Sequence, residues 1–286
     1  MYIIKIVKKL GGREMKKNSI LMFLGVIFAL TLGFNHQVEA AEGEPSLTDA
    51  EKNYLYGLNF SETEVENMPY EELKFLVDSE AEILTSFEEI YSFDEVTNDP
   101  SEVTTFGDIP SADMSFKGNV LKLNNSTVSG YNAFYAHANF RWLNKPIWAL
   151  TDKIAIGFPS SLGVYMPAQS GKLQGFNSTY SLYNTSTGGT TLMSSSSTPS
   201  TWDPSLGVAG SFDLNGSLNK FQTHEGTIAQ TFYIKSSSSG KATIKFEYGH
   251  KKLSGTVGIS ILPVGVSITP NQSNVDVRSY GASFSY

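Results

Sequence analysis

A chain of 286 residues with no cysteine excludes a disulfide framework, thiol catalysis and any thiolate metal site. Its charge is split: residues 41–103 hold 18 Asp and Glu against two Lys, a net of −16, while residues 104–286 hold eight against thirteen Lys and Arg, a net of +5. Neither part carries the dense Lys/Arg stripe that a phosphate backbone requires, so nucleic acid is not an expected partner.

Residues 1–14 read as an upstream extension. Gly11-Gly12-Arg13-Glu14 is what a purine-rich ribosome-binding sequence gives when translated, and Met15-Lys16-Lys17 is a complete beginning for an export signal. Lys16 and Lys17 form a positive n-region, residues 20–34 an uncharged h-region, and Val38-Glu39-Ala40 a small-x-small cleavage site. Residues 15–40 are therefore expected to be a secretory signal peptide, cut between Ala40 and Ala41, and the protein to be extracellular. The uncharged run is short of the roughly 20 apolar residues that cross a bilayer, and no Cys follows it for lipid attachment.

Residues 41–96 read as an acidic helical segment. Thr48-Asp49-Ala50-Glu51 is a capping box opening a helix that Gly57 closes, and Ser61-Glu62-Thr63-Glu64 is a second box. Pro69 suits the first turn of a third helix, along which Leu73, Leu76 and Val77 recur at helical spacing. The same spacing in Ile83, Leu84, Phe87, Ile90 and Tyr91 extends the helical expectation further. The apolar stripe is narrow, so these helices need a partner surface, and the basic remainder of the chain is the candidate for it. A linker with two prolines, residues 97–115, comes next.

From residue 116 to 286 the apolar period is two. Phe134, Ala136, Ala138, Phe140 and Trp142 alternate with Tyr135, His137, Asn139 and Arg141, and the pattern repeats through Ile154–Ile156–Phe158, Ile228–Phe232–Ile234 and Ile244–Phe246–Tyr248. A fold that is mainly β follows, an antiparallel sandwich or barrel preceded by the acidic α-helical segment. In the last strand the apolar positions switch from odd (Val275, Val277) to even (Tyr280, Ala282, Phe284, Tyr286), which predicts a β-bulge near Ser279. Residues 184–204, rich in Ser, Thr and Gly, read as a surface loop or polar hairpin. Leu192 and Met193 alone do not supply the alternating apolar residues of a membrane-inserting strand.

Two stretches carry a resemblance. Gly57-Leu58-Asn59-Phe60-Ser61-Glu62, with Asn67-Met68-Pro69-Tyr70-Glu71-Glu72-Leu73, resembles an element near the start of secreted proteins of Gram-positive bacilli. Trp142, with Pro146-Ile147-Trp148-Ala149-Leu150-Thr151-Asp152-Lys153-Ile154-Ala155-Ile156, resembles a block in small extracellular β-rich proteins of the same group. The resemblance covers about a tenth of the chain. It implies an extracellular compartment and a β-rich body, and brings no activity and no catalytic residues.

Chemistry-bearing residues are sparse. His137, His224 and His250 lie on separate strands without an H-x-H or H-E-x-x-H spacing, so no metal is expected, although Asp152 or Glu225 are the acids that would complete a site. No G-x-S-x-G elbow is present, no pair of acids stands out as a glycosidase pair, and no cofactor motif occurs. The expectation is a secreted non-enzymatic protein that binds a surface glycan or protein through its β domain. Tyr135, His137 and Arg141 are placed on the wet sheet face, and Lys251 and Lys252 at a strand end suit an anionic polymer. The alternative is a β-type pore-forming or membrane-active toxin, with the acidic segment a removable piece, and a secreted hydrolase stands third.

Overall fold

In a computed structural model, residues 45–91, 113–146, 148–252, 258–262, 265–269 and 275–286 are described. The expected leader, the extension before it and most of the linker lie outside them. The contacts gather Leu47–Tyr286 into one unit. Three helices open it: α1 (Asp49–Gly57), α2 (Glu62–Asn67) and α3 (Tyr70–Asp78). Both capping boxes form as the sequence dictates. Thr48 Oγ1 accepts from Glu51 N and the Glu51 carboxylate accepts from Thr48 N at 2.7 Å, and Ser61 and Glu64 repeat the exchange at α2.

Fifteen strands follow among the described residues. They are β1 (Glu82–Tyr91), β2 (Met114–Leu123), β3 (Tyr131–Trp142), β4 (Thr151–Gly157), the short β5 (Ala168–Gln169) and β6 (Lys172–Leu173), β7 (Phe176–Asn184) and β8 (Thr190–Ser196). After these come β9 (Thr201–Asp203), β10 (Gly207–Asp213), β11 (Gln222–Lys235), β12 (Lys241–Lys251), β13 (Gly258–Leu262), β14 (Gly265–Thr269) and β15 (Val275–Ser285). A large sheet orders them β1-β2-β3-β11-β7-β8, and a smaller one β15-β12-β4-β10-β9, all antiparallel. The two sheets pack face to face as a sandwich, not a closed barrel.

The core between them is the expected set: Phe134, Ala136, Ala138 and Phe140 from β3 meet Ile154, Ile156, Phe246, Tyr248 and Phe284 from the small sheet. Gly226 opens space there, because a Cβ on it would lie 2.5 Å from Cε1 of Phe140 on the paired strand. Phe87 covers Gly118 opposite it in the same way and stacks on Tyr280 of β15, centroids 4.0 Å apart, along the edge where β1 and β15 run side by side.

Two expectations fail. The stretch with Ile83, Leu84, Phe87, Ile90 and Tyr91 is the strand β1, not a helix. A bulge between Ile83 and Thr85 inserts Leu84, so Leu84 and Phe87 both reach the core although they are three residues apart. One bulge thus mimics helical spacing. Conversely, no bulge interrupts β15: its register on β12 runs unbroken from Lys251↔Val275 to Lys241↔Ser285. The parity switch has another cause. The β13–β14 hairpin covers the outer face of the small sheet, where Val275 and Val277 join Ala155, Ala209, Ile259 and Ile268, whereas Ala282 and Phe284 face the sandwich core. A strand buried on opposite faces at its two ends changes apolar parity with no inserted residue.

The large sheet is likewise covered on both faces. The helices lie on its outer side, where Leu55, Leu58, Phe60, Val65, Leu73 and Leu76 pack on Leu121, Ala133, Tyr135, Ala229 and Tyr233. Polar ties fix them: Asn119 Nδ2 donates to Leu58 O at 2.9 Å, closing the end of α1, and Asn67 Nδ2 donates to Thr190 Oγ1 of β8 at 2.6 Å. Residues 184–204 form the outer part of the β7–β8 hairpin and then β9.

Candidate functional site

Because helices cover the outer face of β3, the side chains expected to be wet there are not. Tyr135 and His137 are each 1% exposed. His137 Nε2 faces Glu64 Oε1 of α2 at 3.4 Å. Glu64 is fully buried, and Lys117 of β2 reaches its Oε2 at 2.5 Å while the Ser61 hydroxyl donates to it at 2.6 Å. Burial opposes the Glu64 charge, but His137, Lys117 and the hydrogen bonds from Lys117 and Ser61 favour it, and the carboxyl sits below its ordinary range. Burial pushes His137 down to about 4, with Lys117 adding to the effect against the pull of Glu64.

Arg141 is committed as well. Its Nη2 donates to Glu225 Oε1 at 2.7 Å and to the Thr63 hydroxyl of α2 at 2.5 Å, with the guanidinium 4.2 Å over the Tyr183 ring. At the far end of β12, in the other sheet, the Lys252 Nζ pairs with Asp276 at 2.7 Å, and the Lys251 backbone N–H points to Asp152. The five residues therefore do not converge. Three form a polar row beneath the helices, and the lysine pair stands apart.

A second polar cluster sits between the sheets at one end of the sandwich. Asp152 accepts from the Tyr248 hydroxyl and lies 2.9 Å from His250 Nδ1, while Trp142 Nε1 donates to the Tyr248 oxygen at 3.1 Å. Nearby, His224 Nδ1 meets the Tyr180 hydroxyl at 2.8 Å, and that oxygen also accepts from Asn215 N at 2.8 Å. Burial drives His224 down to about 4, so it is neutral above that pH. Asp152 and Glu225, the acids weighed for a metal, are thus taken up by His250 and by Arg141. Among the described residues no group of three His, Asp or Glu is placed to hold a metal ion.

The open site is elsewhere. A pocket of about 400 Å³ lies between α3 and the outer face of the large sheet. Pro69, Glu71, Glu72 and Phe75 of the α3 region form one wall, Tyr135 of β3 with Thr231 and Tyr233 of β11 the back, and Pro167 with residues 174–177 the other wall, and most of this surface is apolar. The second wall is pinned: Thr231 N donates to Gly175 O at 2.9 Å, and Gln230 Nε2 donates to Gln174 O at 2.8 Å. Gly175 is required there, since its φ is +73° and a Cβ would stand 2.8 Å from Thr231 Cβ.

Glu72 is the polar centre of this pocket. The Tyr135 hydroxyl donates to its Oε1 at 2.7 Å, while its Oε2, shut away from solvent, has no hydrogen-bond partner among the described residues. Burial lifts the carboxyl to about 7, opposed by the Tyr135 hydrogen bond. Burial, with the Glu72 charge beside it, holds the Tyr135 hydroxyl well above its ordinary value, so it stays a donor.

Of the pocket residues, sequence reasoning reached only Tyr135. Glu72 had a visible signal: it stands four residues before Leu76, so an acid shares the flank of an apolar stripe. Nothing in the sequence joins that flank to Gln174 or Thr231.

No family model and no curated protein matches the chain. Among solved structures 56 chains match. One of them, described by "AvmM Catalyzes Macrocyclization in Alchivemycin A Biosynthesis", is 11% identical, spans 54% of this chain and 79% of its own, and has a TM-score of 0.23. A likeness that loose carries no inference about activity.

Proposed function

We propose that this is a secreted, non-enzymatic binding protein, and that it receives a group of its surface partner in the pocket beside α3. The observation that carries the reading is the combination of apolar walls from Phe75 and Tyr233 with two carboxyls, one of which, Glu72, has an oxygen left without a partner among the described residues. Aromatic walls supply area and one polar group supplies orientation, the usual division of labour in a ligand pocket. The β scaffold contributes rigidity: Tyr135 stands on a strand buried on both faces, and Gln174 and Gly175 are fixed to β11.

Capture of a partner from a cell-envelope extract, glycan or protein, tests this reading when run with the intact chain and with Phe75→Ala. Phe75 is only partly buried and belongs to the pocket wall, so the variant is expected to keep its fold and lose most of the capture. Equal capture by both chains would remove the pocket from the function.

A further inference from the structure

We infer that the pocket is built for an organic cation, an ammonium group on an apolar body, with the nitrogen against Glu72 and the carbon body against Phe75 and Tyr233. This rests on the reading that the pocket is the ligand site. Three observations point the same way. The charged residues lining the pocket are both acids, Glu71 and Glu72, and no Lys, Arg or His joins them. Among the described residues Glu72 has one oxygen satisfied by Tyr135 and the other with no donor; that second oxygen is closed to solvent, so a ligand N–H completes its shell once the carboxyl turns into the pocket. The remaining walls include the aromatic residues Phe75, Tyr135 and Tyr233, of a kind whose ring faces attract a cation.

The competing ligand classes fit less well. A carboxylate ligand would meet two carboxylates and would need Glu72 protonated. A neutral ligand brings no counter-charge, so the carboxyl beside it is left to hold its proton. An ammonium resolves both at once, because it supplies the missing donor and the missing charge. Besides Glu72, the titratable groups that line the pocket are Glu71 on the same helix, Tyr135 from β3 and Tyr233 from β11. Desolvation, together with the Tyr135 hydrogen bond, governs the Glu72 proton.

The test uses the purified full chain and three probes with one carbon body: 4-phenylbutylamine, 4-phenylbutanol and 4-phenylbutanoate. Affinities are measured by calorimetry and ligand-observed NMR at pH 8 and pH 6, at constant ionic strength. The amine stays an ammonium throughout this range. It is expected to bind tightest at pH 8 and about tenfold more weakly at pH 6, as a carboxyl titrating near 7 goes from about nine-tenths to about one-tenth ionised. Glu72→Gln is expected to abolish the preference for the amine over the alcohol. The pH series on the unaltered chain needs no variant, so a poorly folding Glu72→Gln leaves the test intact. Tightest binding by the alcohol or the acid, or binding of the amine that strengthens as pH falls, overturns the cation assignment and keeps the pocket. Absence of binding by all three probes overturns the pocket reading with it.

Discussion

At the scale of single residues the fold depends on a few buried charges that are compensated across elements. Glu64 of α2 is held by Lys117 of β2, and Arg141 of β3 by Glu225 and Thr63. Removing one member leaves the other buried and alone, which costs far more than the intact pair contributes. Lys117→Met is therefore expected to lower stability by about 3–5 kcal/mol in urea unfolding. Adding Glu64→Gln should restore a large part of the loss, since no uncompensated charge then remains. If the single variant unfolds at the wild-type urea midpoint, the pair is not what anchors α2. The same pair shows what the sequence hides. Alternation along β3 places Tyr135, His137, Asn139 and Arg141 on one face correctly, yet parity says only that the face is polar. It does not say whether water or a helix lies against it. Polar residues are tolerated there because α2 brings matching groups, a match made between residues 78 positions apart in the case of Arg141 and Thr63.

At the scale of elements, local rules were sufficient wherever the interaction was local. Both capping boxes are legible because the donor and acceptor lie three residues apart. The strands of the sandwich core are legible because one face of each meets the other sheet. β1 misleads because the bulge at Leu84 replaces a two-residue period with a three-residue one, and β15 because its two ends are covered by different neighbours. Both belong to the edge where β1 meets β15, and that edge has a measurable weight. Phe87 packs against Phe116, Phe246 and Tyr280 and fills the space above Gly118. Phe87→Ala is expected to cost about 3–5 kcal/mol, as for other buried phenylalanines cut to alanine. Deleting residues 284–286 should cost a comparable amount, because Phe284 is buried in the core and Tyr286 exchanges both backbone hydrogen bonds with Gly240. Thermal unfolding of the two variants checks both, and a melting temperature within a degree of wild type for either would contradict the packing described.

At the scale of the whole molecule, three buried groups that titrate between about pH 4 and 7, above the range of the lowered Glu64, oppose one another in the pH dependence of stability. His137 and His224 are lowered to about 4 in the folded chain, so the unfolded chain binds more protons between about 4 and 6.5, and both favour folding progressively as pH rises through that window. Glu72 is raised to about 7, so the folded chain holds the extra proton between about 4.5 and 7, and its contribution fades as pH rises. Two groups outweigh one, so urea midpoints should climb from pH 4.5 to 6.5, with the gain muted by Glu72. In Glu72→Gln the climb should steepen and continue to about pH 7, where the wild-type curve has already flattened. A pH profile identical to wild type would mean that Glu72 does not carry a raised carboxyl.

The adjacency of β1 and β15 bears on when this chain becomes a protein. The first strand of the large sheet lies along the last strand of the small one, and Phe87 rests on Tyr280 nearly two hundred residues later. Helices α1 to α3 wait in the same way for β11, which supplies Ala229 and Tyr233 to the layer beneath them. A nascent chain emerging from its amino end thus has its elements early and their partners late. Ribosome-stalled chains that end before residue 275 should be cleared by a dilute protease, and resistance should appear in one step once β15 has emerged.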